Sequence, residues 1–426
     1  MKRRVFIQTL GCGASLTFGP GLLKAGPDDT NLNLRELLSN APNVGYFPNV
    51  SGPRIQAWGE DDVAVLATGT EGATLFLGPK PVPLGTLQRG RLAIDDQGVA
   101  HVVGTRGLEL IHIRVGKDLR PATETLAALP ALHPATGLDV AWTRAGLIVV
   151  GPGPEVRTLA CYTVGAGSVK PRVLTRHAWS HPVLFCDRQR DRLHLVMSPW
   201  NDNGSIYDVV YYLRSDDDGR SWGKADGNPL ELPLQPTPPE YGREHGSPEQ
   251  LSITGQPAGG HSNTLGHCVA VDSAGNPHVL YSFNRPYHLF QGREPLMRCV
   301  HVGFDGKEWS RGEWDPSTGK WRAGELSADF SRDVAGGALR IVDGKRFEAL
   351  VLFRDRKRLW LDLGITMSED AGRTWQPIRP LTRDAEKKAA NYVAPVWVRR
   401  GLATEVVCTA QNKSAQAPIY RGRLEA

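Results

Sequence analysis

Residues 368–375 have the sequence SEDAGRTW, and residues 215–222 have the closely similar sequence SDDDGRSW. Ser and Asp at these spacings accept hydrogen bonds from nearby backbone amides, and Gly allows the positive φ of a tight turn. A Trp that folds back gives such a loop an apolar anchor. Each copy therefore predicts a self-contained β-hairpin loop rather than a catalytic site. The residues with this predicted structural role are Ser215, Asp217, Gly219, Trp222, Ser368, Asp370, Gly372 and Trp375.

A second repeat gives the period of the chain. Residues 94–104 (IDDQGVAHVVG) and 271–282 (VDSAGNPHVLYS) share an Asp, a Gly-containing turn and a His that starts an apolar run, and residues 186–197 are a looser copy. His101, His194 and His278 are 93 and 84 residues apart, and Ser215 and Ser368 are 153 apart. These gaps are about two, two and three units of roughly 40–50 residues, the period of a four-stranded propeller blade. The shared repeat position predicts structural roles for the three histidines.

Short apolar runs bounded by Gly, Asp, Asn and Pro recur after about residue 40, and helical periodicity is hard to find there. We therefore predict an all-β fold, a β-propeller of four-stranded blades, with seven blades preferred and six as the alternative. The predicted blades are 42–86, 87–132, 133–175, 176–226, 260–323, 324–384 and 385–426.

Residues 227–260 are rich in Pro, Gly and Glu and have no strand pattern. This composition predicts a long loop inserted on one face of the propeller. Arg243 and His245 in this loop are candidate substrate-binding residues, and a passive excursion of the chain is the alternative.

The N-terminal residues 1–25 resemble a twin-arginine export signal, because RRVFI at 3–7 precedes a weakly apolar run. This resemblance predicts a periplasmic or secreted protein, with an uncleaved N-terminal anchor as the alternative. Residues 26–41 are expected as a linker and residues 42–426 as a single propeller domain. No later segment has about 18 continuous apolar residues, so we expect no membrane span in the mature chain.

The charge and the cysteines exclude several classes of protein. The 50 Lys and Arg residues exceed the 45 Asp and Glu residues by only 5, and no dense basic run or nucleic-acid motif is present. We expect no nucleic-acid partner, although this mild charge permits an acidic one. Of the six cysteines, Cys12 lies in the segment that resembles an export signal. The other five are dispersed without a CxxC pair, which predicts buried small side chains rather than disulfides or a zinc site; they are Cys161, Cys186, Cys268, Cys299 and Cys408. We expect a monomer without a cofactor and leave a structural metal ion open.

The two eight-residue motifs resemble the Asp-box repeats of the BNR family, which occurs in sialidases and many other β-propellers. In that family the Asp boxes lie on the propeller face away from the active site. A sialidase would need three arginines for the sugar carboxylate, an Asp acid/base and a Tyr nucleophile. Arg54 in SGPRIQAW (51–58) matches the first arginine, but Pro53 and Gln56 depart from the usual motif and the expected Asp is missing. Tyr392 is the candidate nucleophile.

Residues 261–290 resemble the BNR-repeat proteins that include ulvan-type polysaccharide lyases, which use His and Tyr for proton transfer and Arg to offset a uronate carboxylate. Abstracting a proton beside a carboxylate requires these residue types. The candidate catalytic residues are His261, Tyr281, Arg285 and Tyr287, with His177 and His181 from the preceding blade. The candidate substrate-binding residues are Arg54, Arg243, His245 and His288.

These patterns predict an exported propeller that acts on a poly- or oligosaccharide. The mild positive charge of the protein permits this saccharide to be acidic. The preferred activity is that of a lyase cleaving uronate-containing polysaccharide by β-elimination. A non-catalytic glycan-binding propeller and a sialidase-like glycoside hydrolase are the alternatives.

Overall fold

The computed structural model shows an all-β propeller of seven antiparallel blades, as predicted. The unit counts inferred from the repeat spacing are wrong in part, because His194 and His278 lie in adjacent blades and Ser215 and Ser368 lie two blades apart. The described residues are 9–10, 34–42, 54–59, 62–69, 72–132, 136–165, 169–176, 179–201, 206–207, 210–234, 265–284, 297–310, 314–315, 320–321, 324–327, 329, 331–400, 403–411 and 416–424. In this part of the chain the single α-helix has four residues, so no helix is long enough to cross a membrane.

The first three blades are regular four-stranded sheets in which consecutive strands pair. Blade 1 contains β3 (Arg54–Trp58), β4 (Asp62–Gly69), β5 (Gly72–Leu77) and β6 (Lys80–Gly85). Blade 2 contains β7 (Gln88–Ile94), β8 (Ala100–Arg106), β9 (Glu109–Val115) and β10 (Pro121–Ala128). Blade 3 contains β11 (Asp139–Thr143), β12 (Gly146–Pro152), β13 (Leu159–Val164) and β14 (Arg172–Thr175).

Blades 4 and 5 complete their sheets with isolated bridges. Blade 4 contains β15 (Trp179–Asp187), β16 (Arg192–Asn201), the short β17 (Ile206–Tyr207) and β18 (Tyr211–Ser215), and Gly223 bridges β18 at its outer edge. Blade 5 contains β19 (Leu265–Val271), β20 (Pro277–Asn284) and β21 (Met297–Gly303), and Glu325 bridges its outer edge. A separate hairpin of β22 (Trp314–Asp315) and β23 (Lys320–Trp321) follows.

Blades 6 and 7 complete the ring, and blade 7 contains strands from both ends of the described chain. Blade 6 contains β24 (Arg332–Ile341), β25 (Phe347–Asp355), β26 (Asp362–Ser368) and β27 (Arg379–Pro380), and α1 (Ala385–Lys388) leads to blade 7. Blade 7 contains β28 (Asn391–Arg400), β29 (Ala403–Gln411), β30 (Gln416–Arg423) and, outermost, β2 (Arg35–Pro42). The segment from Arg35 was expected as linker and instead closes the ring. The two-residue β1 (Thr9–Leu10) pairs with β28 on its inner side.

The core consists of seven apolar clusters, one between each pair of neighbouring blades. Successive side chains of a strand point to opposite faces, so a blade packed on both sides needs nearly continuous apolar strands. The strand GLIVVGP (146–152), buried along its whole length, is an example. All five described cysteines are free and buried within these clusters, as the sequence predicted.

The connectivity defines two faces. The innermost strand of each blade begins at one face of the propeller, which we call the start face. The loops between second and third strands and the links to the next blade also lie at the start face. The turns between first and second strands and the loops between third and fourth strands lie at the other, which we call the turn face. Both SxDxGx[ST]W loops, 215–222 and 368–375, follow third strands and therefore lie on the turn face.

Candidate functional site

The two eight-residue loops have the same internal hydrogen bonds. In the loop at 368–375, Ser368 Oγ accepts from Gly372 N at 2.8 Å and donates to Asp370 Oδ1 at 2.7 Å. Asp370 accepts from Thr374 N at 2.9 Å and from Thr374 Oγ1 at 2.6 Å, and Trp375 Nε1 donates to Gly372 O at 3.1 Å. Burial opposes the charge of Asp370, but the bonds from Thr374 and Ser368 outweigh it and lower its pKa to about 2. The carboxylate is occupied within its own loop.

The loop at 215–222 repeats this arrangement atom for atom. Ser215 Oγ accepts from Gly219 N at 2.9 Å, and Asp217 Oδ1 accepts from Ser221 N at 2.7 Å. Trp222 Nε1 donates to Gly219 O at 3.1 Å. The φ of Gly219 is 82°, a conformation that favours glycine.

The histidines of the second repeat are buried beside the turn face and bonded within their blades. His101 Nε2 lies 3.2 Å from Asp95 Oδ2, and its Nδ1 lies 3.0 Å from His112 Nε2. His278 Nδ1 lies 3.1 Å from His301 Nε2 in the corresponding position of blade 5. Burial lowers the pKa of His101, and it lowers the pKa of His301 to about 3. Hydrogen-bonded imidazoles of this kind hold the strands of a blade together.

Four neighbouring innermost strands bring a different set of side chains to the start face. Arg54 begins β3, Arg89 and Arg91 lie in the first half of β7, Asp139 begins β11, and His181 is the third residue of β15. We call these five residues the arginine arc. The strand β3 contacts β7, β7 contacts β11, and β11 contacts β15. The arc therefore follows one side of the central channel across four blades.

Asp139 holds the arc together. Its Oδ1 lies 3.7 Å from Arg91 Nε and accepts from Val140 N at 3.0 Å, and its Oδ2 accepts from Leu184 N of β15 at 2.8 Å. This one carboxylate thus joins the innermost strands of blades 2, 3 and 4. Gln56 Nε2 donates to Leu92 O at 2.7 Å, which ties β3 to β7.

The arc has a net positive charge in a poorly hydrated position, because three guanidinium groups face one carboxylate. Arg91 is only 4% exposed. Burial and the charge of Arg54 lower the pKa of Arg91 to about 9, and Asp139 opposes this. Burial also lowers the pKa of Arg54. Both arginines stay charged at neutral pH, so an incoming anion would find a desolvated cationic site.

The backbone of β7 is irregular where it carries the arc. The register with β8 shifts between Gln88 and Arg91, and Arg89 has a φ of 56°. A non-glycine residue in this left-handed region costs about 1 kcal/mol or more, and bulges of this kind re-aim side chains beside functional sites. The conformation separates Arg89 from the regular alternation of the strand.

His181 is the histidine that the structure places in the arc. It is 4% exposed, and Gly137 N donates to Ser180 O at 2.8 Å beside it. A Cβ added to Gly137 would lie 3.1 Å from His181 Cα and 3.4 Å from its Cγ. Glycine at 137 therefore lets blade 3 approach this histidine closely.

The other predicted site residues are either two tyrosines that are not part of the arginine arc or residues outside the described part of the chain. Tyr281 is 1% exposed in the cluster between blades 4 and 5, its hydroxyl has no hydrogen bond to a described residue, and burial raises its pKa. Tyr392 donates its hydroxyl to Asp384 Oδ1 at 2.6 Å and accepts from Lys388 Nζ at 2.7 Å, without the Glu partner of a sialidase nucleophile. The following predicted residues lie outside the described residues: His177, Arg243, His245, His261, Arg285, Tyr287 and His288.

The sequence analysis missed Arg89, Arg91 and Asp139. The available signal was RGR at 89–91, four to six residues before the repeated turn that starts at Asp95, which places two arginines at the beginning of an innermost strand. Within the described residues, no three His, Cys, Asp or Glu side chains come together as ligands for a metal ion.

Two solved structures with a similar fold are described as polysaccharide lyases. An ulvan lyase of the polysaccharide lyase family PL25, bound to GlcA(1-4)Rha3S, has a TM-score of 0.63 and 14% sequence identity, covering 91% of this chain and 96% of that one. The polysaccharide lyase Uly1 has a TM-score of 0.54 and 8% identity, covering 98% of each chain. No protein-family model matches the chain, and no curated protein matches it in sequence. At these identities the similarity establishes the fold, and the chemistry must be argued from the site.

Proposed function

We propose that the chain is an exported, carbohydrate-active propeller that cleaves a uronate-containing polysaccharide by β-elimination at the arginine arc. The observation that carries this proposal is the set of three arginines and one aspartate beside His181, at the beginning of four adjacent innermost strands. The ulvan lyase with a similar fold is bound to a saccharide that contains glucuronate, which supports an acidic substrate.

The arc has the groups that β-elimination requires. The proton at C5 of a uronate is weakly acidic, because its removal places negative charge on the adjacent carboxylate. Guanidinium groups of Arg54, Arg89 and Arg91 stabilise that charge in a poorly hydrated site, where electrostatic interactions are strong. The base takes the C5 proton, the electron pair forms the C4–C5 double bond, and the C4–O4 bond breaks as O4 receives a proton from an acid.

His181 is the proposed proton-transfer residue among the described side chains. Histidine is the side chain that most often transfers protons as a general acid or base in enzymes. His261, His177, Arg285 and Tyr287 remain predicted contributors to the same reaction.

The test is incubation of the protein with ulvan and other uronate polysaccharides while ultraviolet absorbance of the unsaturated product is followed. We expect absorbance to rise with the wild-type chain, and the rate of this rise to be at least a hundredfold lower for His181→Ala. The melting temperature of the variant is recorded to show that it is folded under the assay conditions. Retention of these polysaccharides without any unsaturated product would favour the non-catalytic glycan-binding alternative. Hydrolysis of a fluorogenic sialoside would favour the sialidase-like one.

A further inference from the structure

A second basic surface lies on the start face, at blade 6. Its members are exposed side chains of the loop between β25 and β26 and of the link to blade 7. We call this surface the basic rim, and it consists of Arg356, Lys357, Arg358, Arg383 and Lys387.

The rim is held by hydrogen bonds that join its two segments. Glu386 Oε1 accepts from Leu359 N at 2.6 Å and from Trp360 N at 3.0 Å, so the short helix α1 fixes the loop. Arg354 Nη1 donates to Leu359 O at 2.9 Å, and Leu361 N donates to Asn391 Oδ1 at 2.8 Å. The cations are thus presented on an ordered backbone, which lowers the entropic cost of binding a ligand.

Most cations of the rim are not neutralised by the protein. Arg358 lies 3.8 Å from Asp355 and 3.5 Å from Asp362. Among the described residues, Arg356, Lys357, Arg383 and Lys387 have no carboxylate within the 4 Å of an ion pair. Four exposed and unpaired cations on one ordered surface are the electrostatic footprint of a polyanion site.

The rim and the arginine arc share a face. The loop between β25 and β26 joins a second to a third strand, and α1 links the last strand of blade 6 to the first strand of blade 7. Both connections lie at the end where the innermost strands begin. A polymer whose reacting uronate lies at the arc extends over this face.

We propose that the basic rim is a second binding site for the acidic polysaccharide, which holds sulfate or uronate groups of the chain away from the reacting sugar. This inference rests on the proposed function for the identity of the polymer. Multiple contacts to one chain raise its effective concentration at the reactive site, so the rim acts on the binding of polymer rather than on chemistry.

The test compares two triple variants that each remove three positive charges. The rim variant is Arg356→Gln, Lys357→Gln, Lys387→Gln; Arg358 is kept because of its ion pair with the buried Asp362. The matched control is Lys307→Gln, Lys345→Gln, Arg373→Gln, three exposed residues on the turn face. Affinity for ulvan and for alginate is measured by titration at low salt, with melting temperatures recorded to show that both variants fold.

We expect the rim variant to raise the Kd for at least one polymer at least fivefold, and the control to change it less than twofold. With a cleaved polymer, KM rises with kcat unchanged, and turnover of a tetrasaccharide of the same polymer stays constant. Equal Kd values for the two variants overturn the proposal, as does an equal fivefold loss of affinity for single-stranded DNA, which would make the rim an unselective polyanion surface.

These outcomes separate the rim from the lyase activity. If the wild-type chain cleaves neither polymer but the rim variant loses binding, the rim is supported as a binding site and the lyase activity is rejected. Cleavage with identical kinetics in rim variant and control rejects the rim alone. A wild-type chain that binds neither polymer overturns both.

Discussion

Arg91 is proposed to stabilise the carboxylate of the substrate. Because Arg91 is buried, its charge costs free energy of folding when no substrate is bound. Its guanidinium is almost fully buried and lies 3.7 Å from the Asp139 carboxylate, longer than a hydrogen bond. Buried charges with loose partners contribute little to folding, and apolar replacements of similar volume are often neutral or stabilising. The proposed anion would add a negative charge beside this guanidinium.

We predict that Arg91→Met lowers the rate of cleavage of uronate polysaccharide at least tenfold and leaves the free energy of unfolding unchanged or higher by about 1 kcal/mol. Arg91→Lys retains a charge but not the planar fork, so its rate should fall between those of wild type and Arg91→Met. Ultraviolet absorbance gives the rates and urea denaturation gives the stabilities. Full activity of Arg91→Met would remove the arc from the mechanism.

Three blades each have a buried histidine near the start of the second strand, namely His101, His194 and His278. His194 begins the apolar part of β16, and its Nδ1 lies 2.6 Å from the Tyr212 hydroxyl of β18. Burial, aided by the charges of Arg192 and Arg214, lowers the pKa of His194 to about 3. The folded state therefore binds fewer protons than the unfolded state, in which a histidine titrates near about 6.5.

A histidine with a lowered folded-state pKa makes the protein less stable as the pH falls. The loss begins near the unfolded pKa of about 6.5 and continues towards the folded value, so at pH 5 it is about 2 kcal/mol for His194. We expect the melting temperature to fall between pH 7.5 and pH 5, and His194→Gln to make that fall shallower. Tyr212→Phe removes the hydrogen bond but keeps the imidazole, so the pH dependence should persist; a wild-type stability flat over this range would contradict the prediction.

The elements were predictable from local sequence, and the site was not. The signals are local: the repeated turn at Asp95 or Asp272 with the histidine after it, and the SxDxGx[ST]W loops of blades 4 and 6. Such signals act over fewer than about fifteen residues, so the all-β class and the propeller followed from the chain alone. The spacing of the signals overcounted the blades between them, since His194 and His278 lie in adjacent blades and Ser215 and Ser368 lie two blades apart. The arginine arc is assembled from residues between 54 and 181 on four blades, and only the ring brings them together. A motif within one strand therefore could not predict the arginine arc.

In the whole molecule, the closure of the ring also depends on a contact between distant residues that local sequence could not predict. The strand β2 pairs with β30, with Arg35 opposite Arg421 and Pro42 opposite Gln416, although the two strands lie at opposite ends of the described chain. Its sequence, RELLSNAP, has no clear alternation, so it was expected as linker. The strand β2 pairs with the outer edge of β30 and so ties the two parts of the chain together in one blade.

If β2 closes the ring, weakening its packing should loosen the junction between blades 7 and 1. Leu37 packs against the apolar cluster at this junction, which contains Ile55, Val65 and Ile419. We predict that Leu37→Asp, which places a charge against that cluster, lowers the free energy of unfolding by about 2 kcal/mol. Glu36→Gln, on the exposed neighbouring residue, is the matched control and should leave it unchanged. Melting temperature at a fixed scan rate, together with hydrogen exchange of the β30 amides, measures the effect. Equal stability and equal exchange in the two variants would mean that the ring holds without its terminal strand.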